Sequence, residues 1–540
     1  MFLRLSLSLL VLSQSFANGL TTDGRFNANF MRKPALPIVH IDQNTPVTSR
    51  NGTILPPYNT TYTFQQLIDH NNPSLGTFTQ RYWHTYEFYE EGGPIVMFSP
   101  GEGNAAQFSS YLTNNTINGQ IAQQENGAVV LLEHRFYGLS NPLPDLSVES
   151  LRLLTVQQAI DDYEYFAKNV ILPMPNGDRL SAVTTPWILT GGSYSGALTS
   201  WTMVNKPGLF AAGYASSAVV EAILDFWQYF EPERLTMPAN CSVDVERVIA
   251  HIDEVFTGSN QTAIQAIKES FGLGDLTHLD DVAGALRNNL WDWQGLTLSG
   301  GPGAQFFKFC DALEVKDGVS APAAGWGLEH ALDAWSSYWK TTYLALLCGE
   351  DDVEDCLGTY DTSQPYWTDI SIDNSERSSR KNAAPVGHPT LVSRLVQPAY
   401  KLRQCQQMFP EAFPQPPNVH TGQINSLYHG WNVSVSNLFF ANGQRDPWRY
   451  ATVSAPGVIL KSTPSQPIAV SEGFHCGDLL TREGVANPTV LAVQKQALAS
   501  IKTWIAAWKP TKVRSVRDLR SRERKLKKPV DGWFRTPVLE

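Results

Sequence analysis

Pro186-Trp-Ile-Leu-Thr-Gly-Gly-Ser-Tyr-Ser-Gly-Ala-Leu-Thr-Ser-Trp201 is the stretch that decides the fold. Its start, Trp187-Ile-Leu189, reads as a buried strand, because a short apolar run leaves no face for solvent. Gly191-Gly192 permits a tight turn, Ser193 stands at its apex, and Gly196-Ala-Leu198 opens a helical stretch. Such a strand–turn–helix holds a serine hydroxyl out of a strained backbone where a substrate can reach it. The small residues let helix and strand pass closely. The common pattern is Gly-x-Ser-x-Gly; here Ser195 takes the last place and Gly196 follows it. Ser193 is the candidate nucleophile, set against the plainer reading of a Ser/Gly turn in an inert domain.

Working outward, Pro94–Ser99 and Ala128–Glu133 are further buried-strand candidates, and Leu154–Ala167 has a helical pattern. Strands alternating with helices predict a parallel sheet covered on both faces, an α/β fold. The stretch from about 220 to 405 differs: it is rich in Trp and Tyr, has few strand signals, and carries helical patterns such as Val245–Val255. It reads as a mostly helical insertion, a cap. Asn437–Ala441 and Pro467–Val470 then resume the strand pattern, and Thr489–Trp508 reads as an amphipathic helix. The expected division is 1–17 targeting segment, 18–60 extended lead-in, 61–219 first part of the core, 220–405 cap, 406–508 second part of the core, and 509–540 basic tail.

A serine on such an elbow is followed in the chain by an acid and then a histidine, each on a loop beyond a strand's C-terminal end. After the cap, the strand ending at Ala441 runs into Asn442-Gly-Gln-Arg-Asp-Pro-Trp448, and the strand ending at Val470 runs into Ser471-Glu-Gly-Phe-His-Cys-Gly-Asp478. Asp446 and His475 are thus the candidate acid and base, with Asp478 as a competing carboxylate. The oxyanion needs backbone N–H donors. Tyr194, just after the serine, supplies one candidate; Gly101 and Glu102, in the glycine-rich loop Ser99-Pro-Gly-Glu-Gly-Asn104, supply the other. Glu102 is also a candidate for substrate binding, through an amine or a shared proton. Leu132-Glu-His-Arg-Phe-Tyr-Gly-Leu-Ser140 reads as structural, with Glu133 and Arg135 bracing loops; His134 precedes the serine and is a poor base candidate.

Bulk properties bound the setting. Met1–Ala17 has a basic start at Arg4, an apolar run from Leu5 to Leu12 and a small-residue end, the marks of a secretory leader. Asn51, Asn59, Asn114, Asn240, Asn260 and Asn432 stand in Asn-x-Ser/Thr triplets, candidate glycosylation sites. Six cysteines suit an oxidising compartment, and Cys348 and Cys356 are close enough to staple a short loop. None has metal-site spacing, and neither metal nor cofactor is expected. The tail from Lys509 holds 11 of the 41 basic and 4 of the 51 acidic residues, which leaves the body with 30 and 47, a formal net of −17. A body that acidic argues against a nucleic-acid partner and suits an acidic compartment. With no bilayer-length apolar run, no membrane association is expected.

Several pieces together resemble the prolyl carboxypeptidase / dipeptidyl peptidase II family of serine peptidases, nearest to its fungal acid prolyl endopeptidases. They are Phe64–Pro73, Gln80–Trp83, Glu133–Gly138, Gly191–Leu198, Asp446-Pro-Trp448 and Gly473-Phe-His-Cys476. The resemblance implies an α/β-hydrolase core with a helical cap, a Ser193/Asp446/His475 triad, and cleavage on the carboxyl side of proline in proline-containing peptides. Trp448, beside the acid, is a candidate wall for the proline ring, set against the plainer reading of a core tryptophan, and Cys241–Cys310 beside Cys348–Cys356 are the expected disulfides. The leader and the acidic body point to a secreted protein, or one of an acidic vacuolar or lysosomal compartment. One departure stands out. Where the family carries an aromatic stretch with a cysteine, Asp373–Gly387 is polar and has none. The competing readings are an acid serine carboxypeptidase with Glu before the serine, against which Gly192 speaks, and a catalytically impaired hydrolase-fold binding protein.

Overall fold

The computed structural model describes residues 36–42, 45–371, 384–385 and 387–510. The leader, most of the polar segment 373–387 and the tail beyond 510 lie outside the described residues.

Eight strands form one sheet: β1 (Thr61–Leu67), β2 (Thr77–Thr85), β3 (Ile95–Ser99), β4 (Ala128–Leu132), β5 (Trp187–Gly192), β6 (Ala212–Ser216) and, after a hairpin β7/β8 (Val315–Lys316, Val319–Ser320) that lies apart, β9 (Leu438–Gly443) and β10 (Ile468–Ser471). Their order is β1-β2-β4-β3-β5-β6-β9-β10. β1 and β2 pair antiparallel and β2 meets β4 antiparallel. All remaining neighbours are parallel. That order is the α/β-hydrolase sheet. β3, β4, β5, β6 and β9 are buried at every residue. This is why continuous apolar runs mark most of them.

Two apolar layers cover the sheet. On one face Ile160, Tyr163 and Phe166 of the helix Val156–Asn169 and Ala197, Leu198 and Trp201 of the helix Ser193–Asn205 pack on Met97, Leu189 and Phe440. On the other, Ile117 and Ile121 of the helix Ile117–Glu125 join Val493, Ala497, Ile501 and Trp504 of the helix Pro488–Ala507 against Val96, Val129 and Ile188.

Among the described residues between β6 and β9, the regular structure is helical apart from the β7/β8 hairpin. Its main helices are Ala239–Thr257, Leu279–Trp291, Gln305–Glu314, Leu328–Tyr338 and Pro398–Met408, which runs through the boundary drawn at 405. They share a core of their own, with Val248, Ile252, Leu286, Phe309 and Trp335, that runs on into Phe474 beside His475. Disulfides Cys241–Cys310 and Cys348–Cys356 close it. Neither uses Cys405 or Cys476.

Candidate active site

Ser193 begins its helix with φ 57°, a left-handed conformation that side chains rarely adopt. Strain of about 1–3 kcal/mol at such a residue persists only where its surroundings over-determine it. Here they do. Ser195 Oγ accepts Gly192 N–H at 3.0 Å and donates to Gly192 O at 2.8 Å, closing the turn on itself. The serine that departs from the usual motif therefore staples the elbow. Gly196 carries the close approach: a Cβ there would lie 2.6 Å from Ser216 O of β6.

Asp446 and His475 sit in the loops beyond β9 and β10, which pair in register. His475 Nδ1 lies 2.8 Å from Asp446 Oδ1, both side chains almost wholly buried. Asp446 Oδ1 also accepts Trp448 N–H at 2.9 Å. A carboxylate only accepts, so Nδ1 carries the proton and Nε2 is left as the basic nitrogen. Burial works against charging the ring, the Asp446 carboxylate works for it, and the balance raises His475 above the ordinary histidine value. Asp478 is engaged elsewhere. It accepts Tyr214 O–H at 2.5 Å and Ser216 Oγ–H at 2.8 Å, and burial raises its carboxyl.

The elbow and the histidine loop meet. A Cβ on Gly192 would lie 2.9 Å from Cys476 Sγ, and Cys476 N–H donates to Ser217 Oγ at 3.0 Å. The loop Ser99–Asn104 closes the third side. Gly101 has φ +77°, and a Cβ on it would lie 3.2 Å from Ser195 Cβ and 3.3 Å from Tyr194 Cδ1. Gly101 and Tyr194, both named from sequence as oxyanion candidates, are thus in contact, and Glu102 follows half-buried. Arg81 and Glu133 form a two-pronged ion pair (2.6 and 2.8 Å) beneath that loop, and Glu133 Oε1 accepts Ala105 N–H at 3.0 Å. Arg135 pairs with Asp162 through two bonds of 2.5 and 2.7 Å and donates to the carbonyls of Leu67, Ile68 and Leu153.

The cap supplies what sequence reasoning missed. Trp448 packs on Phe226 at 5.6 Å, Tyr229 at 5.3 Å and His475 at 6.2 Å between ring centres. Gln294 Oε1 accepts both Tyr229 O–H (2.8 Å) and Trp448 Nε1–H (3.0 Å). The aromatic density of the insertion was the sole signal for Phe226 and Tyr229; Gln294 had none. Of the six glycosylation candidates, Asn51, Asn59, Asn114, Asn260 and Asn432 are exposed, while Asn240 is half-buried and donates to Ala321 O at 3.3 Å. Among the described residues no helix is long and apolar enough to cross a membrane.

A strained serine and a buried carboxylate–histidine pair are parts that acyl transfer by a serine nucleophile uses. Comparisons with known proteins agree. The model of the serine carboxypeptidase S28 family matches residues 65–284. Serine protease vicPa of Bipolaris victoriae (strain FI3) is 36% identical over 471 residues, 82% of this chain and 88% of that one. A probable extracellular serine carboxypeptidase of Arthroderma benhamiae is 29% identical over 79% of this chain and 64% of that one. The human lysosomal Pro-X carboxypeptidase is 25% identical over 87% of this chain and 92% of that one. The chain belongs to the serine carboxypeptidase S28 family and is a serine peptidase.

Proposed function

We propose that this serine peptidase is secreted and hydrolyses peptide bonds after proline, with Ser193 as nucleophile, His475 as base and Asp446 as its orienting acid. His475 Nε2 takes the Ser193 proton as the hydroxyl attacks the acyl carbon and returns it to the leaving amine; water then releases the acyl-enzyme by the same route in reverse. The N–H groups of Tyr194 and of the Gly101–Glu102 loop receive the oxyanion. Trp448, backed by Phe226 and Tyr229, walls the proline ring. The observation that carries the reading is the 2.8 Å His475–Asp446 bond, buried beyond neighbouring strand ends and set against the Ser193 elbow. A relative named a probable extracellular serine carboxypeptidase supports secretion, and one named a lysosomal Pro-X carboxypeptidase supports the proline preference.

Acid working conditions are part of the proposal, bounded on the acid side where His475, raised above the ordinary histidine value, takes up its proton. The body is strongly acidic, and burial raises the carboxyls of Glu233, Asp281, Glu314 and Asp478. Asp478 apart, these lie in the cap, and all are most easily kept neutral in an acidic compartment. The five exposed asparagines are proposed as glycosylated.

The test is mass spectrometry of a proline-containing peptide set incubated across acid to neutral pH with wild-type protein and with Ser193→Ala. Cuts after proline that vanish in the variant are expected, and their positions tell end-trimming from internal cleavage. Cuts unaffected by the variant, or cuts without regard to proline, refute the nucleophile or the specificity respectively.

A further inference from the structure

The Glu133-His134-Arg135 turn after β4 touches both sides of the proposed oxyanion site. Glu133 and Arg81 hold the first. Glu133 Oε1 takes Ala105 N–H, and Arg81 Nη2 donates to Asn104 Oδ1 at 2.9 Å, so the Ser99–Asn104 loop is fixed from below. His134 holds the second. Its Nδ1 lies 2.8 Å from Arg135 O, and its Nε2 lies 3.2 Å from Tyr194 Oη. A carbonyl only accepts, so Nδ1 carries the proton, Nε2 is the acceptor, and the Tyr194 hydroxyl donates. Arg135 in turn is locked by Asp162 and three carbonyls, so the turn itself has no freedom to follow Tyr194.

Resting on the reading of Ser193 and Tyr194 above, we propose that His134 is a positioning residue of the oxyanion hole. As a neutral acceptor it anchors the Tyr194 ring and so fixes the direction of the Tyr194 backbone N–H. The Tyr194 ring also lies against the position of Gly101, so one anchor holds the spacing between the two proposed donors.

The anchor is sensitive to protons. An imidazolium cannot accept a hydrogen bond, so protonating His134 breaks it. The groups that face His134 are the Arg135 carbonyl and guanidinium, the Asp162 and Glu102 carboxyls and the Tyr137 and Tyr194 rings. Burial disfavours the charged ring and outweighs the Arg135 carbonyl and the two carboxyls, lowering His134 below the ordinary histidine value. The neutral form therefore survives into the acid range in which we propose the enzyme works.

The test measures kcat and KM from pH 4 to 8 for wild type, Tyr194→Phe, His134→Ala, the double variant and Ser193→Ala. The substrate is p-nitrophenyl acetate, which needs the nucleophile and oxyanion hole but no proline site. Loss of one oxyanion donor costs about 100- to 1000-fold in kcat. Loosening one should cost less, about tenfold, with KM unchanged. The double variant is expected to be no worse than either single one, because both remove the same bond. The wild-type advantage over Tyr194→Phe should narrow toward the acid end, as His134 begins to take up its proton. Multiplying losses in the double variant, or a Tyr194→Phe enzyme equal to wild type at every pH, overturns the proposal. If His134→Ala does not fold, the Tyr194→Phe profile decides alone. Undiminished turnover by Ser193→Ala would overturn the nucleophile and this inference with it, whereas additive losses beside an inactive Ser193→Ala overturn the positioning role only.

Discussion

Replacing Asp446 by Asn removes one atom's charge from the proposed site and leaves its shape. The 2.8 Å bond to His475 is nearly excluded from water on both sides, so the charge acts at close to full strength. During the reaction the ring becomes an imidazolium, and the carboxylate stabilises it. Unit charges about 4 Å apart attract by about 4 kcal/mol at an effective dielectric near 20. At about 1.4 kcal/mol per decade of rate, that is about three decades. The amide can also present N–H to Nδ1 and reverse the tautomer, which in comparable triads brings the loss to about 10⁴. The expected result is a kcat about 10³- to 10⁴-fold lower on an activated ester, with KM and melting temperature near wild type. The acid limb of kcat/KM should also move. In the wild type the carboxylate lifts His475 above its ordinary 6.5; with Asn that lift is gone, only Cys476 still opposes burial, and the value falls. The residual activity should thus persist to lower pH. Asp478→Asn is the paired control. It disturbs bonds from Tyr214 and Ser216, so it should cost stability, about 1–3 kcal/mol, with kcat of the folded enzyme little changed. An Asp446→Asn enzyme that keeps a tenth of wild-type kcat, or an Asp478→Asn enzyme that loses as much, refutes the assignment.

Gly196→Ala puts a methyl 2.6 Å from a β6 carbonyl that cannot move without breaking the sheet. A loss of about 1–3 kcal/mol is expected in urea unfolding, together with reduced kcat as the elbow shifts. Opening Cys241–Cys310, which closes 69 residues, should cost about 4 kcal/mol in the chain-entropy account. Cys348–Cys356, closing 8, should cost about 2.5 kcal/mol; Cys→Ser pairs compared by calorimetry test that order. Stability should also decline from acid to neutral pH. Glu233, Asp281 and Asp478 are raised by burial, and Glu314 is raised to about 7. A carboxyl raised in the folded state holds its proton where the unfolded chain has lost it. Its stabilising contribution is therefore complete below the unfolded carboxylate range and lost as pH climbs toward 7. Asp162, lowered by Arg135 against its burial, acts in the opposite sense at the acid end. The melting temperature is expected to be higher at pH 5 than at pH 8, and Glu314→Gln to recover roughly 1 kcal/mol at pH 8; a flat profile contradicts the burial argument.

What could be read from the chain depended on which physical signal each part leaves in it. β3, β4, β5 and β9 are buried on both faces and announce themselves as apolar runs, and the loops after β9 and β10 carry Asp446 and His475 at the expected ends. β6 was missed. It reads Ala-Gly-Tyr-Ala-Ser and is small because the nucleophile helix lies across it, so the feature that serves the elbow also erased the strand signal. β1 and β2 were met only as family motifs, since both are rich in Thr and Gln and neither is a continuous apolar run; β1 is the edge of the sheet and β2 lies inside it, between β1 and β4. Helix ends moved by up to six residues: Val245–Val255 extends to Ala239–Thr257, because Pro238 and Gly258 bound it and apolar periodicity marks only its middle. Gln294 was illegible, as a glutamine that organises two aromatic side chains leaves no pattern at all.

The cap is joined to the core beside the acid and base rather than hinged away from them. Trp293 Nε1 donates to Arg445 O at 2.8 Å, one residue before Asp446, and its ring meets Phe474, one residue before His475, at 5.1 Å. Gln294 holds Trp448, two residues after Asp446. Glu483, buried in the helix that follows the histidine loop, accepts Leu298 N–H at 2.6 Å and the Ser299 hydroxyl. One strand of chain, residues 293–299, therefore fastens both loops from the cap side. A side chain in that strand cannot shape a substrate pocket without also loading the Asp446 and His475 loops. Substitutions there should move kcat and KM together.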